Sequence, residues 1–372
     1  MTTTVIPYIG LTRQYQNLKE ELIEASDMVL SSGQVLDGQY VEQFECQIAR
    51  RCERSYAIAV GSCTTALLFA QLAQNIIHSK VLIPTQSFIA TLNSVVMANN
   101  TPVFCDVDES AMLDIEQTDF ALDGAGIGAI MYVNLFGNIL DYDKLQLITG
   151  FFNPASNIIL IEDAAQSFGA TYKGKPSGSL GDISVLSFDP TKNLPNYGSG
   201  GMILTDDLNI ATTCLDLRDN GKIGFHMYAG TNSKMSEVDC AHMLIKLKYF
   251  DAWQKRRQEI ANFYTEHLIS YVDPILPTDD VTSAWSKYAI RVDDRNSLQN
   301  YLSAQGIATK IHYPTPLHEH DIGMDYAGMN HYINAVAHSK ETLSLPLYPE
   351  LTDEEIETIA TAVVEHYTGQ MF

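Results

Sequence analysis

The sequence predicts an α/β protein: a large domain built on a mostly parallel seven-stranded sheet, followed by a smaller α+β C-terminal domain. Three observations carry this. Seven short, β-branched or apolar runs recur between residues 56 and 205 and alternate with helical patterns, as expected when helices cover both faces of a parallel sheet. No internal repeat or low-complexity linker interrupts the series. After residue 205 the pattern changes to longer helices with isolated strands.

In order, the strand candidates are residues 56–60, 81–83, 102–107, 129–135, 158–161, 184–188 and 202–205. A helical pattern, Thr64-Thr65-Ala66-Leu67-Leu68-Phe69-Ala70-Gln71, follows Gly61-Ser62-Cys63, and another helix runs from Ile89 to about Ala98. A long polar helix starts at Asp251-Ala252-Trp253-Gln254-Lys255-Arg256-Arg257 and runs to about Leu268. Residues 288–292 then read as a strand, 295–305 as a helix and 353–366 as the last helix. These elements divide the chain at 1–250 and 251–372, the N-terminal segment going with the large domain.

Composition narrows the function without naming it. The 372 residues are 46% hydrophobic, enough to fill two cores. A net charge of −22 argues against a nucleic-acid partner, whose phosphates would be repelled. No apolar run approaches the ~18 residues needed to cross a bilayer. The first seven residues lack the basic start and apolar core of a secretory leader, so a cytoplasmic location is expected. Cys46, Cys52, Cys63, Cys105, Cys214 and Cys240 are scattered, without metal-ligand spacing, and read as reduced thiols; no metal is expected.

The chemistry concentrates between Glu162 and Gly201. The run Ile158-Ile159-Leu160-Ile161 reads as a buried strand that carries Glu162 and Asp163 to the carboxyl edge of the sheet, where open α/β sheets bind ligands. Val185-Leu186-Ser187-Phe188 delivers Asp189-Pro190-Thr191-Lys192 to the same rim. A carboxylate and a lysine meeting there suit pyridoxal phosphate, which needs an amine for a Schiff base and an anion to keep its ring nitrogen protonated. Strand alternation points Glu162 to the opposite face from Asp163. Gly61-Ser62-Cys63-Thr64-Thr65, between a strand and a helix, offers free N–H groups and a positive dipole end to a phosphate.

The ordered set EDAAQ, GSLGD, SF and PTKNL resembles the DegT/DnrJ/EryC1/StrS family of pyridoxal-phosphate-dependent nucleotide-sugar aminotransferases, which have the aspartate aminotransferase fold, fold type I. The resemblance extends from Ile6-Pro7 to Leu345-Pro346-Leu347-Tyr348-Pro349. It implies that Lys192 carries the cofactor, that Asp163 pairs with the pyridine nitrogen and that Gln166 contacts the ring hydroxyl. Ser62, Cys63, Thr64 and Ser187 would hold the phosphate and Phe88 would stack on the ring. The family usually has glycine where this chain has Cys63.

Gly230-Thr231-Asn232-Ser233-Lys234-Met235-Ser236-Glu237 resembles the family's GxNxRMxE segment, with lysine for arginine at 234. The match implies a homodimer in which Asn232 reaches the partner's phosphate site. Residues 312–318, HYPTPLH, resemble the family's stretch beside the sugar, so His312, Tyr313 and His318 are candidate substrate contacts. Asn134 stands where many relatives have histidine. The implied reaction moves an amino group from L-glutamate to carbon 3 or 4 of a nucleotide-linked keto sugar, by ping-pong kinetics, for amino sugars of surface polysaccharide such as lipopolysaccharide O-antigen, or of related glycans.

Three other readings bear on the same residues. A sugar dehydratase of this fold replaces the lysine with histidine, which Lys192 opposes. A non-catalytic regulatory member would not need Asp163, Gln166 and Lys192 together. A nicotinamide oxidoreductase is disfavoured because Gly198-Ser199-Gly200-Gly201 is not GxGxxG and opens no helix. Lys173 and Lys175, flanking Gly174 in a predicted surface turn, are the sequence-adjacent competitors to Lys192.

Overall fold

A computed structural model describes residues 5–122, 126–152, 158–328 and 331–369. Residues 1–4, part of the stretch read above as lacking a leader, lie outside the described residues.

Seven strands form the central sheet: β1 Tyr56–Val60, β2 Lys80–Pro84, β3 Thr101–Cys105, β4 Ile127–Val133, β5 Ile159–Asp163, β6 Ile183–Ser187 and β7 Gly201–Thr205. Their spatial order is β1-β7-β6-β5-β4-β2-β3. The pairs from β6 through β3 are parallel, and β7 alone runs against its neighbours β1 and β6. All five residues of β6 and of β7 are buried, the result of covering both faces.

The sheet and its strands match the sequence expectation, with ends that shift by up to two residues. The shift at β7 matters most. The sequence reading starts it at the first apolar residue, Met202, but pairing begins at Gly201, which faces Val60 on one side and Ser187 on the other. A glycine carries no strand signal of its own.

Helix Leu11–Ser32 precedes the sheet and packs on the long helix Glu237–Leu268. That long helix begins 14 residues before the expected start at Asp251. Ser236 caps it by accepting from Asp239 N at 3.1 Å. Its first half is apolar and buried, with Cys240, Met243, Leu247 and Phe250 packed beside Phe44, Phe168 and Phe188, so it lacks the polar face that marks the second half. Glu237 accepts from the amides of Gly38, Tyr40 and Val41 at 2.9–3.0 Å, which anchors the start of helix Gln39–Arg51.

The second half of the long helix belongs to a separate core. Ile260, Tyr264 and Leu268 pack with Tyr288, Ile290, Leu298, Leu343 and Val363. Three antiparallel strands, β8 Asp273–Pro274, β9 Tyr288–Arg291 and β10 Thr342–Leu345, build this unit with helices Arg295–Ala304 and Asp353–Thr368. Ile6 joins it by pairing with Ile307. Other stretches of the C-terminal part return to the sheet: Ile275, Val281 and Ala284 pack on one of its faces, and Leu317, Tyr332 and Ala335 on the other. The helix Asp353–Thr368 opens with a reciprocal capping box between Thr352 and Glu355.

All six cysteines are free thiols. Among the described residues no helix is long and apolar enough to cross a membrane, and no cluster of metal-ligating side chains occurs.

Candidate active site

The carboxyl ends of β1, β2, β4, β5 and β6 surround a cavity of about 320 Å³. Ser62, Cys63, Thr64, Phe88, Asp163, Gln166, Ser187, Lys192, His312 and Tyr313 all line it. Ten of the expected site residues thus meet in one place.

Asp163 ends β5, 4% exposed, and accepts from Ala165 N at 3.1 Å and Thr91 Oγ1 at 3.5 Å. Burial pushes its carboxyl above the usual carboxylate range, and the Ala165 amide and the nearby Lys192 pull it only partly back. A buried carboxylate in this condition calls for a cationic partner. Its neighbour Glu162 faces away, as alternation requires. Glu162 accepts from Asn134, Ser177, Ser184 and the amides of Gly178 and Leu180, which ties β5 to the turn 177–181. Asn134 is therefore occupied on the far face; its Oδ1 takes the Leu140 amide and the residue does not line the cavity.

Lys192 is held by a short turn. Asp189 Oδ1 accepts from Thr191 N and Thr191 Oγ1, and Lys192 N donates to Asp189 O at 3.0 Å. Pro190 presets the backbone of that turn. Beyond it, buried Asn193 donates to Ala284 O, and Asn196 donates to Ser199 O and Asp239. The loop is pinned on both sides, so the lysine is aimed by rigid neighbours.

The candidate anion site follows from helix-end chemistry. Ser62 caps helix Cys63–Ala73 by accepting from Thr65 N at 3.2 Å, and Ala66 N bonds to Ser62 O. The amides of Cys63 and Thr64 remain for an anion. Gly201 allows this site to sit where it does. A Cβ there would lie 2.6 Å from Cys63 N and 2.6 Å from the Ser62 carbonyl carbon. Gly201→Ala is expected to push the Ser62–Cys63 turn off β7 and weaken phosphate-dependent cofactor binding by roughly tenfold or more, at about 1–3 kcal/mol of overpacking strain. Equilibrium dialysis of the cofactor, with circular dichroism as the folding control, checks this.

Burial, with Asp163 nearby, raises the Cys63 thiol well above its ordinary value, so it stays neutral. Gln166 donates to Tyr313 Oη at 2.9 Å and accepts from Phe136 N. Phe88 immediately precedes helix Ile89–Met97 and is 54% exposed, its ring 5.8 Å from that of Tyr313. His312 bonds Ser344 Oγ through Nδ1 at 2.9 Å; burial and then Lys287, Lys192 and Lys310 hold it well below its usual range and therefore neutral.

Two expected residues lie elsewhere. His318 bonds Thr85 Oγ1 at 2.6 Å and packs on Tyr332 with ring centroids 4.4 Å apart, outside the cavity lining. Asn232 is exposed, bridged through its backbone to Asp219, and does not line its own subunit's cavity. Lys234 is committed to Asp219 and Asp37. Thr91 and Asp189 line the cavity without having been assigned a role from the sequence. Only Asp189 carried a signal, as a turn-forming Asp-Pro before the lysine.

The group's chemistry fits these residues: a buried carboxylate opposite a lysine, a helix start with free amides, and a cavity within the usual ligand range. The profile of the DegT/DnrJ/EryC1/StrS aminotransferase family matches residues 16–364. The chain belongs to this family. It is 34% identical over 367 residues to a dTDP-3-amino-3,6-dideoxy-alpha-D-galactopyranose transaminase of Aneurinibacillus thermoaerophilus, covering 96% of this chain and 99% of that one. It is 33% identical to a pleiotropic regulatory protein of Geobacillus stearothermophilus, covering 97% and 98%. The structure of S. venezuelae DesV in complex with a ketimine intermediate superposes with a TM-score of 0.93 at 30% identity, covering 98% of each chain. This member of the DegT family is a pyridoxal-phosphate-dependent sugar aminotransferase of fold type I.

Proposed function

We propose that the enzyme moves the amino group of L-glutamate to a nucleotide-linked keto sugar at carbon 3 or 4, supplying an amino sugar for a surface polysaccharide or related glycan. The carrying observation is that Asp163 and Lys192, from two different strand ends, line one cavity with an anion-ready helix start. The 3-amino product named for the Aneurinibacillus relative is a reason to assay carbon 3 first.

When bound, pyridoxal phosphate supplies an aldehyde that links to an amine and a protonated ring that accepts the electron pair left on the donor's α-carbon. The amides of Cys63 and Thr64 and the hydroxyls of Ser62 and Ser187 would hold its phosphate, with Phe88 and Gln166 placing the ring. Asp163 would keep the ring nitrogen protonated. Lys192 would be the amine that anchors the aldehyde, and its amine would serve as the group that moves a proton at the donor's α-carbon. Neutral His312 and Tyr313 line the acceptor side.

The test is to incubate purified enzyme with L-glutamate and a panel of dTDP-, UDP- and GDP-linked 3- and 4-keto sugars and measure 2-oxoglutarate. Production dependent on one keto sugar supports the reading. Production with none of them, while glutamate still converts the cofactor to its amine form, removes the sugar assignment.

The same proposal includes a homodimer whose Asn232 completes the partner's phosphate site. Its support is that Asn232 is exposed and absent from its own cavity, on a segment whose Ser233 carbonyl abuts Gly61. Mixing inactive Lys192→Ala protein with an inactive Asn232→Ala variant is expected to restore activity as subunits exchange, because one site of each mixed dimer then carries neither defect. Exchange without recovery places Asn232 outside the partner's site.

A further inference from the structure

Behind Lys192 lies a second, smaller chamber that the mechanism above does not use. It has about 30 Å³ of room and is walled by the N-terminal turn 8–11, the lysine loop, the long helix and the starts of β9 and the segment after β10. Lys192 lines both cavities. Five buried side-chain atoms without a hydrogen-bond partner belong to its wall: Tyr8 Oη, Gln14 Oε1, Arg257 Nε, Ser286 Oγ and Tyr348 Oη. Four of the five can donate. Gln14, Arg257, Ser286 and Tyr348 are 3–6% exposed.

The charge of the wall points the same way. Lys192, Arg257 and Lys287 face one carboxylate, Glu350. Lys287 Nζ donates to Thr191 O at 2.9 Å and Ser286 O at 3.0 Å, which leaves one of an ammonium's three N–H groups. Burial, then Lys192 and Arg257, depress the Lys287 amine well below its ordinary value, and an anion beside it would favour its charged form. The volume suits about two waters or the two oxygens of one carboxylate.

The cofactor cavity itself has no cation to spare. Its carboxyl and amine side chains are Asp163, Asp189 and Lys192. An amino-acid donor must bring its amine to the carbon that Lys192 holds, and its α-carboxylate lies two bonds from that nitrogen. Donors and positive charge unused by the cofactor occur on the chamber side of Lys192.

We propose that this chamber is the subsite for the carboxylate of the amino donor, seated on Lys287, Ser286 and Tyr348 while the donor's amine meets Lys192. This rests on the aminotransferase reading and not on the identity of the sugar. The chamber then accounts for the orphaned hydroxyls, which stay unsatisfied until a carboxylate accepts from them. It also explains why an acidic protein keeps three basic side chains together in its interior.

The test separates the two half-reactions of the holoenzyme. Lys287→Met is expected to lower kcat/KM for L-glutamate by roughly 10–100-fold, the worth of one charged hydrogen bond. The rate at which amine-form enzyme reacts with its keto sugar is expected to stay within about twofold, since that step involves no carboxylate of the donor. In cofactor-free protein, glutarate at fixed ionic strength is expected to raise the melting temperature of the wild type and not of Lys287→Met. Ser286→Ala and Tyr348→Phe serve if Lys287→Met does not fold: each removes an orphaned hydroxyl, so each is expected to weaken glutamate while leaving unliganded stability equal or higher. Equal loss in both half-reactions would mean that Lys287 only positions the lysine loop, and unchanged glutamate kinetics in all three variants would place the carboxylate elsewhere; either overturns the proposal. The glutamate half-reaction is read from the cofactor's absorbance without any sugar, so failure of the sugar assignment would show separately.

Discussion

Replacing Lys192 with alanine is expected to lower turnover by roughly 10⁴-fold or more, the upper end for a positioned acid–base group, since in the proposed function the same amine also anchors the cofactor. The loop that presents Lys192 is pinned by Asp189, Asn193 and Asn196, none of which depends on the lysine side chain, so the variant should fold. Borohydride reduction followed by peptide mapping checks the assignment: the reduced adduct maps to Lys192 in the wild type and disappears in the variant. Sequence order singled out Lys173 and Lys175 as the competing amines. Three-dimensional placement changes that choice. Lys173 sits in the turn of the hairpin 171–176 and is paired with Asp143 and Asp280, whereas Lys287 is buried against Thr191, the residue before Lys192. An adduct on Lys287 in Lys192→Ala would transfer the anchoring role to that residue.

Asp163→Asn is expected to leave cofactor bound while lowering turnover by roughly 10²–10³-fold, the scale of losing one preorganised electrostatic partner. The amide keeps the side chain's shape and can still accept from Ala165 N. It cannot hold a ring nitrogen in its protonated state. A second readout comes from linkage. The folded-state pKa of Asp163 is raised by burial, so the folded protein holds that proton more tightly than the unfolded chain. Cofactor-free wild type therefore loses stability as pH rises from the ordinary carboxylate value through the raised one, and the Asn variant does not. Melting curves of both proteins from acid to neutral pH should show this divergence, and cofactor should remove it by giving the carboxylate its cation. Near-normal turnover in Asp163→Asn would end the assignment. Glu162→Gln is the control: its carboxylate accepts from five groups around β5, so its loss should lower stability and not selectively lower turnover.

Much of this was legible in the chain because the elements that carry the chemistry are short and local. Ile-Leu-Ile before Glu162-Asp163 reads as a covered strand ending in carboxylates; period-two alternation puts the two on opposite faces, and the family resemblance assigns the ligand to Asp163. The same holds for the Ser62 turn, whose free amides follow from any helix start. The spacing from Asp163 to Lys192, with the family motifs between them, determined the cofactor and the reaction type.

Tertiary structure decided what depends on residues far apart in sequence. Gly201 carries no motif, yet its missing Cβ lets the phosphate turn lie on β7. His318 and His312 are six residues apart in one matching stretch, but Thr85 holds the first outside the cavity while Ser344 holds the second at its wall. Lys287 gave no signal in a stretch that reads only as the approach to a strand, and its burial beside Lys192 exists because β9, the lysine loop and the long helix converge. Local pattern determines strands, caps and facing; the charge balance of a buried chamber is set by which distant segments meet there, and no window of sequence contains that sum.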